Sequence, residues 1–399
     1  MDELFEILFE NSTKLIEFLN IEYKRYFFKK IDFSSPLIGI LGARGVGKTT
    51  ALLQYLKELD LPYDKKLYIS ADMVELANYS LFEIAKEFEK RGGKVLVIDE
   101  IHKSRGFEKE LKNIYDRLGL QLLFSGSSAM HLHHSYADLS RRAVLYRVFG
   151  LSFREFLELK LKKSLPSFSL EELLSSHMHI AASLLKEIRP YEFFKEYLEF
   201  GYYPFYFDQS STYKMRLENI INTVVEVDLV SLFSIKYESV IKLKKLISFL
   251  CMSAPYKLNI SELSKKVGIN RDKLYLYIDY LVKGSILVAL RSKQKGDGIF
   301  LKPDKLYLQN PNLYYAYCKH PEIGTIREIF FYDQLAPSYD VTYSKIGDFL
   351  IENRYVVEVG GKKKGYEQIR DLKDSFIAAD GLEVGIGNKI PLWLFGFLY

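Results

Sequence analysis

The stretch LIGILGARGVGKTTALLQYL, Leu37 to Leu56, constrains the fold more than any other: an apolar run, a glycine-rich turn, then apolar residues at helical spacing. It reads as strand, loop and helix, and Gly42 to Thr49 within it fits GxxxxGKT. Gly42, Gly45 and Gly47 let the backbone curl until its N–H groups face phosphate oxygens, beside a helix N-terminus that carries partial positive charge. In this pattern Lys48 reaches the β and γ phosphates and the Thr49 hydroxyl ligates Mg2+. Gly42, Ala43, Arg44, Gly45, Val46, Gly47, Lys48, Thr49 and Thr50 are therefore the candidate residues for ATP and its Mg2+.

A second signal is KVLVIDEIHK, in which four apolar residues lead to Asp99 and Glu100. The apolar body suits a strand covered on both faces, and the acids fall at its C-terminal end, where open α/β sheets place ligands. This is a Walker B strand: Asp99 joins Thr49 in holding Mg2+, and Glu100 is the base or orienter of the attacking water, so hydrolysis is encoded as well as binding. A third apolar strand, QLLFSGSSA, ends in Ser125 to Ser128, of which Ser127 is the candidate for touching the γ phosphate or the water.

These strands in this order, with LYISAD and its Asp72 between the first two, resemble the AAA+ branch of the P-loop ATPases. LSRRAVLYRVFGLSFREFL, Leu139 to Leu157, sharpens the likeness to prokaryotic AAA+ proteins in which an arginine segment and a Leu-Ser-Phe-x-Glu-Phe helix start precede a C-terminal half of unassigned function. The resemblance implies an α/β fold with a three-layer αβα P-loop NTPase core. It puts Arg142 on the family's main arginine, with Arg141 and Arg147 as lesser matches; a guanidinium there stabilises charge on the leaving phosphates, in the same subunit or a neighbouring one. HLHH, His131 to His134, makes no metal site, because no cysteine or second histidine set lies nearby in sequence to complete it.

At 399 residues the chain exceeds what one core usually serves. The expected division is an ATPase core with an N-terminal helix over 1–150, helices over 151–232, a third module over 233–305 and a last over 306–399. From residues alone 151–232 is only an α-helical domain; the resemblance, through YLEFGYYP at Tyr197 to Pro204 and Asp228 beyond it, makes it the family's lid. LNISELSKKVGINRDKLYLYIDYLVKGSILVAL reads as helix, turn, helix and strand, the outline of a winged helix, with Ser261 and Asn270 as N-caps and Gly284 as the stop. Arg271 and Lys273 would meet DNA with Arg291 to Gly296 as the wing, but Tyr275, Tyr277, Tyr280 and their apolar neighbours equally suit packing on protein.

In KIGDFLIENRYVVEVGGKKKG a short turn at Glu352 to Arg354 joins two apolar runs, so Ile351 pairs with Tyr355 in a hairpin and Asp348 falls opposite Glu358. Directly opposed carboxylates are close enough to share a divalent metal, which makes Asp348 and Glu358 a candidate second metal site. The geometry resembles the restriction-endonuclease-like fold, with Glu328 as the upstream match. This chain departs from that pattern at Gly360, where the lysine belongs; Lys362 to Lys364 lie beyond a double glycine and either swing back through a bulge or form a solvated loop. An active nuclease, a degenerate fold that binds nucleic acid or protein, and a plain structural domain all remain open.

Residues 233–399 carry 25 basic against 18 acidic side chains, a surplus that suits phosphate backbones or a solvated surface alike. Cys251 and Cys318 have no CxxC partner, form no framework and suit a reducing compartment. The acidic start and the lack of a long apolar run lead us to expect a cytoplasmic protein with no membrane contact, with ATP and ADP as partners, DNA as a candidate partner of the basic part, and a homo-oligomer as the family's habit. The leading expectation is a nucleotide-driven switch or motor; the alternative is an ATP-gated nucleic-acid-binding protein or nuclease.

Overall fold

The computed structural model describes residues 1–20, 23–127, 139, 141–208, 210–252, 259–293 and 302–399. The chain separates into two compact units, Met1–Phe149 and Gly150–Tyr399. Residues 151–232, 233–305 and 306–399 thus fall together in the second. Among the described residues no helix is long and apolar enough to cross a membrane.

In the first unit, α1 (Asp2–Phe18) buries Leu4, Phe5, Leu8 and Ile16. The sheet is built from β1 (Leu37–Gly42), β2 (Lys66–Ser70), β3 (Val95–Asp99), β4 (Gln121–Ser127) and β5 (Val144–Val148), in the spatial order β2-β3-β4-β1-β5. Every pairing is parallel. Parallel neighbours require crossovers, supplied here by α2 (Lys48–Glu58), α3 (Leu81–Lys90) and α4 (Phe107–Arg117). All residues of β1 and β3 are buried, as their unbroken apolar runs require. The order places the C-terminal ends of β1, β3 and β4 around one crevice, where chain direction across the sheet reverses.

The second unit begins with helices α5 (Phe153–Leu161), α6 (Leu170–Leu184) and α7 (Pro190–Glu196). The Leu-Ser-Phe-x-Glu-Phe start is a capping box: the Ser152 hydroxyl accepts from the Glu155 N–H while the Glu155 carboxylate takes the Ser152 N–H. α8 (Tyr213–Thr223), α9 (Leu229–Phe233) and α10 (Tyr237–Met252) follow, with π-helical turns at Tyr197–Gly201 and Val224–Asp228. Widening at the first frees carbonyls that a buried amide collects: Asn312 Nδ2 donates to the Tyr197 and Leu198 carbonyls at 3.0 and 2.8 Å. Its Oδ1 accepts from the Tyr202 N–H at 2.8 Å and from the Tyr213 hydroxyl.

Next come α11 (Ile260–Val267), α12 (Arg271–Lys283) and a two-stranded antiparallel sheet of β6 (Leu287–Leu290) and β7 (Lys305–Leu308). Asn270 caps α12 and Gly284 ends it as expected, but α11 is capped by Asn259 rather than Ser261, whose hydroxyl accepts from Arg271. Residues 294–296 of the expected wing lie outside the described residues. After α13 (Pro311–Tyr317) and α14 (Ile323–Leu335) comes a five-stranded mixed sheet, β8 (Val341–Tyr343), β9 (Phe349–Ile351), β10 (Tyr355–Gly361), β11 (Ser375–Asp380) and β12 (Lys389–Pro391). Its order is β12-β11-β10-β9-β8, parallel from β12 to β10 and antiparallel from there to β8. The two cysteines are not free: Cys251 at the end of α10 is bonded to Cys318 at the end of α13 across 67 residues of sequence. The sequence, with no CxxC motif and only two cysteines, did not single out this pairing.

Candidate functional site

The loop Gly42–Gly47 leaves β1 and enters α2 at Lys48. Gly45 and Gly47 have φ of 80° and 93°, the left-handed region that glycine enters without strain. Gly42 is needed for a different reason: a Cβ there would lie 2.4 Å from the Val148 carbonyl oxygen of β5. The loop is also held from below, because buried Arg25 donates Nη1 to the Val46 carbonyl at 2.8 Å and to the Phe149 carbonyl at 2.9 Å. Lys48 is 5% exposed and curls over the loop, its Nζ on the Gly42 and Ala43 carbonyls at 3.0 and 2.9 Å.

Asp99, at the end of β3, is gripped by four donors among the described residues. Oδ2 accepts from Thr49 Oγ1 at 2.6 Å and from the Tyr68 hydroxyl at 2.7 Å. Oδ1 accepts from the Glu100 N–H at 3.0 Å and from the Ser125 hydroxyl. The structure thus brings Thr49 and Asp99 together as the sequence implied. A hydroxyl beside a carboxylate, next to a glycine loop that runs into a helix N-terminus, is a donor set that fits a hard divalent cation bound with a nucleotide phosphate.

Glu100 has φ 50°, ψ 39°, unusual for a residue with a side chain, and the bond from its N–H to Asp99 helps fix it there. The turn points its carboxylate back at the loop, where Oε2 lies 3.8 Å from Arg44 Nη2 and 3.4 Å from His102 Nε2. Ser127 is buried at the end of β4, paired with Gly42, while Ser125 on the same strand face reaches Asp99. Asp72 turns away to accept from the Ser70 hydroxyl at 2.6 Å. Arg142 forms a two-pronged ion pair with Asp116 of α4, Nε at 2.8 Å and Nη2 at 3.0 Å, and this guanidinium holds the Asp116 carboxyl below its usual range. Arg141 is exposed and Arg147 lies over the Phe149 ring. Ser128 and His131 to His134 lie outside the described residues.

Two residues around this crevice carry no sequence signature of their own. Tyr68 lies inside an apolar strand and Arg25 inside an aromatic cluster, so neither spacing nor residue type marks them. Only the pairing of β2 with β3 brings the phenol to Asp99.

In the second unit the hairpin pairs in the register read from the sequence, Tyr355 with Ile351 through Val357 with Phe349. The ladder ends there, and the Asp348 N–H donates to the Val357 carbonyl. The two carboxylates take separate cations. Asp348 Oδ1 accepts from Lys305 Nζ at 2.9 Å, and the same ammonium is 2.7 Å from Glu328 Oε2. Burial opposes the charge on Lys305, yet the two carboxylates outweigh it and hold its pKa above the usual value. Glu328 is raised, first by burial and then by Asp348, with Lys305 opposing. Glu358, 1% exposed, meets Lys364 Nζ at 2.6 Å. Lys364 reaches it by lying over Gly360, where an added Cβ would be 2.9 Å from its Cβ. Among the described residues no group of three or more His, Cys, Asp or Glu is placed to hold a metal.

Comparison with known proteins finds a match of residues 34–157 to a family described as an AAA domain, and of residues 191–320 to a domain of unknown function, DUF8612. The first match falls on the five-stranded parallel sheet and its Gly42–Gly47 loop. The chain is 26% identical over 388 residues to the uncharacterized protein MJ1637 of Methanocaldococcus jannaschii, covering 89% of this chain and 81% of that one. Two solved structures show looser likeness. The S. cerevisiae Hsp104–ADP complex is 18% identical with a TM-score of 0.28, over 69% of this chain and 37% of that chain. C. elegans PCH-2 is 15% identical with a TM-score of 0.23, over 43% and 46%. Overlays that loose define no shared architecture.

Proposed function

We propose that the chain binds and hydrolyses Mg2+-ATP as an AAA+ ATPase, and that nucleotide state drives it as a switch or motor. The observation that carries this is the Thr49–Asp99 bond at the mouth of a loop whose lysine rests on the loop's own carbonyls. Phosphate oxygens, being charged, displace neutral carbonyls from the Lys48 ammonium. Backbone N–H groups of Gly45 to Thr50 cradle the β and γ phosphates. Thr49 and Asp99 would hold Mg2+, which would supply charge neutralisation for the phosphates. Glu100 orients the attacking water, with Ser127 beside it; Arg142, braced by Asp116, stabilises charge on the leaving group in its own subunit or a second copy.

The test uses a fluorescent ATP analogue for binding and phosphate release for turnover. Lys48→Ala loses binding, Glu100→Gln binds but does not turn over, and Arg142→Ala binds with slowed turnover. Tight nucleotide binding by Lys48→Ala would refute the assignment. Mass measurement with and without nucleotide reads assembly.

A second reading, in which ATP gates a nucleic-acid-directed C-terminal part, draws support from one observation: Lys364 takes the place of the lysine missing at Gly360 and meets Glu358. Lys305 between Glu328 and Asp348 weighs the other way, since an ammonium already neutralises those carboxylates. Metal-dependent cleavage of duplex DNA that vanishes in Glu358→Ala and Lys364→Ala would establish cutting. ATPase stimulation by DNA that fades steeply with salt would establish DNA contact through phosphates.

A further inference from the structure

The Asp99 carboxylate has a partner that the nucleotide-binding pattern does not include. Tyr68 sits on β2, opposite Val97 of β3, while Asp99 is opposite Ser70. Tyr68 is therefore two residues short of Asp99 along the sheet, about 6.6 Å at the usual strand rise, on the same face. A phenol is long enough to cover that distance; a serine or threonine at 68 is not. The hydroxyl arrives on Oδ2, the oxygen that also accepts from Thr49.

Tyr68 is 7% exposed, leaving water little access to replace it. The other donors to Asp99 come from its own turn, from β4 and from α2. Among the described residues only Tyr68 comes from β2, and it sets the carboxylate against that side.

We propose that Tyr68 is a positioning residue: its hydroxyl fixes the Asp99 carboxylate in the orientation that lets Thr49 and Asp99 take up Mg2+ with the nucleotide. This rests on the ATPase reading above. The phenol acts through Asp99, as outer partners of metal ligands do.

The experiment measures affinity for a fluorescent ATP analogue in EDTA and across a Mg2+ titration, with thermal unfolding alongside, for wild type, Tyr68→Phe, Asp99→Ala and the double variant. Tyr68→Phe is expected to keep its EDTA affinity and unfolding temperature while needing about tenfold more Mg2+ to reach half of the Mg2+-dependent gain. In the Asp99→Ala background the same change is expected to do nothing further. An unshifted Mg2+ midpoint overturns the proposal, as does an equal loss of affinity in EDTA, the mark of a purely structural role. If wild type itself binds no nucleotide, the ATPase reading falls, and that outcome is distinct from a wild type that responds to Mg2+ beside a Tyr68→Phe that responds identically.

Discussion

Replacing Lys305 with methionine isolates the charge cluster of the second unit, because methionine keeps most of the stem and removes only the ammonium. The ammonium bridges Glu328 and Asp348 at 2.7 and 2.9 Å, and the three side chains are 14%, 14% and 19% exposed. Taking one partner from a pair this enclosed leaves uncompensated buried charge, a loss of about 3 kcal/mol. For a unit of this size that lowers the unfolding temperature by about 6–12 °C. The pH dependence identifies the cause. The Glu328 carboxyl is raised above 4.5, by burial first and by Asp348 second, with Lys305 opposing. A raised carboxyl keeps its proton in the folded state after the unfolded chain has released it, so stability falls as pH climbs above the unfolded value. Without Lys305 that fall steepens. Lys305 itself, raised above 10.5, contributes fully below that value, so wild type keeps its bridge throughout the test. Calorimetry at about pH 5 and about pH 8 should show a small deficit at the first and a large one at the second. A deficit equal at both would mean that the stem's packing matters and the charge does not; no deficit would refute the reasoning outright.

Asp333 on α14 is fully enclosed, and burial raises its pKa well above 3.8. By the same sign argument it costs stability above that value, about 1.4 kcal/mol for each tenfold gain in proton affinity, so Asp333→Asn should raise the unfolding temperature at neutral pH and flatten the pH profile between acid and neutral. Reduction of Cys251–Cys318 releases a loop of 67 residues, worth about 4 kcal/mol by the chain-entropy relation, so unfolding with and without reductant should differ in the wild type and coincide in Cys251→Ser/Cys318→Ser.

What was legible in the sequence was local. The loop from Gly42 to Thr49 and the acids ending β3 are read from contiguous residues, and so is the hairpin register, because the turn at Glu352–Arg354 fixes it. Tyr68 was not legible: within LYIS it is one more apolar-run residue, and its role needs both the pairing of β2 with β3 and a two-residue offset. For Lys364 the sequence allows two outcomes, since a double glycine permits either; the backbone after Gly361 turns it onto Glu358. Lys305 and Asp348 lie 43 residues apart with no shared pattern, and the two cysteines 67 apart. Long separation in sequence hid both the ammonium bridge and the disulfide.

The amide of Asn312 also bears on the order in which the chain can become native. Four polar groups between Tyr197 and Tyr213 have their partners on one side chain roughly a hundred residues downstream. During synthesis the helices from Phe153 onward emerge first, and until position 312 follows them those groups have water or one another instead. Each one left dry and unpaired costs about 1–3 kcal/mol. A fragment ending at 305 would therefore stay loose around the π-helical turn at Tyr197–Gly201, and the consolidation of this half of the protein waits on contacts of long sequence separation, the kind that slow folding most.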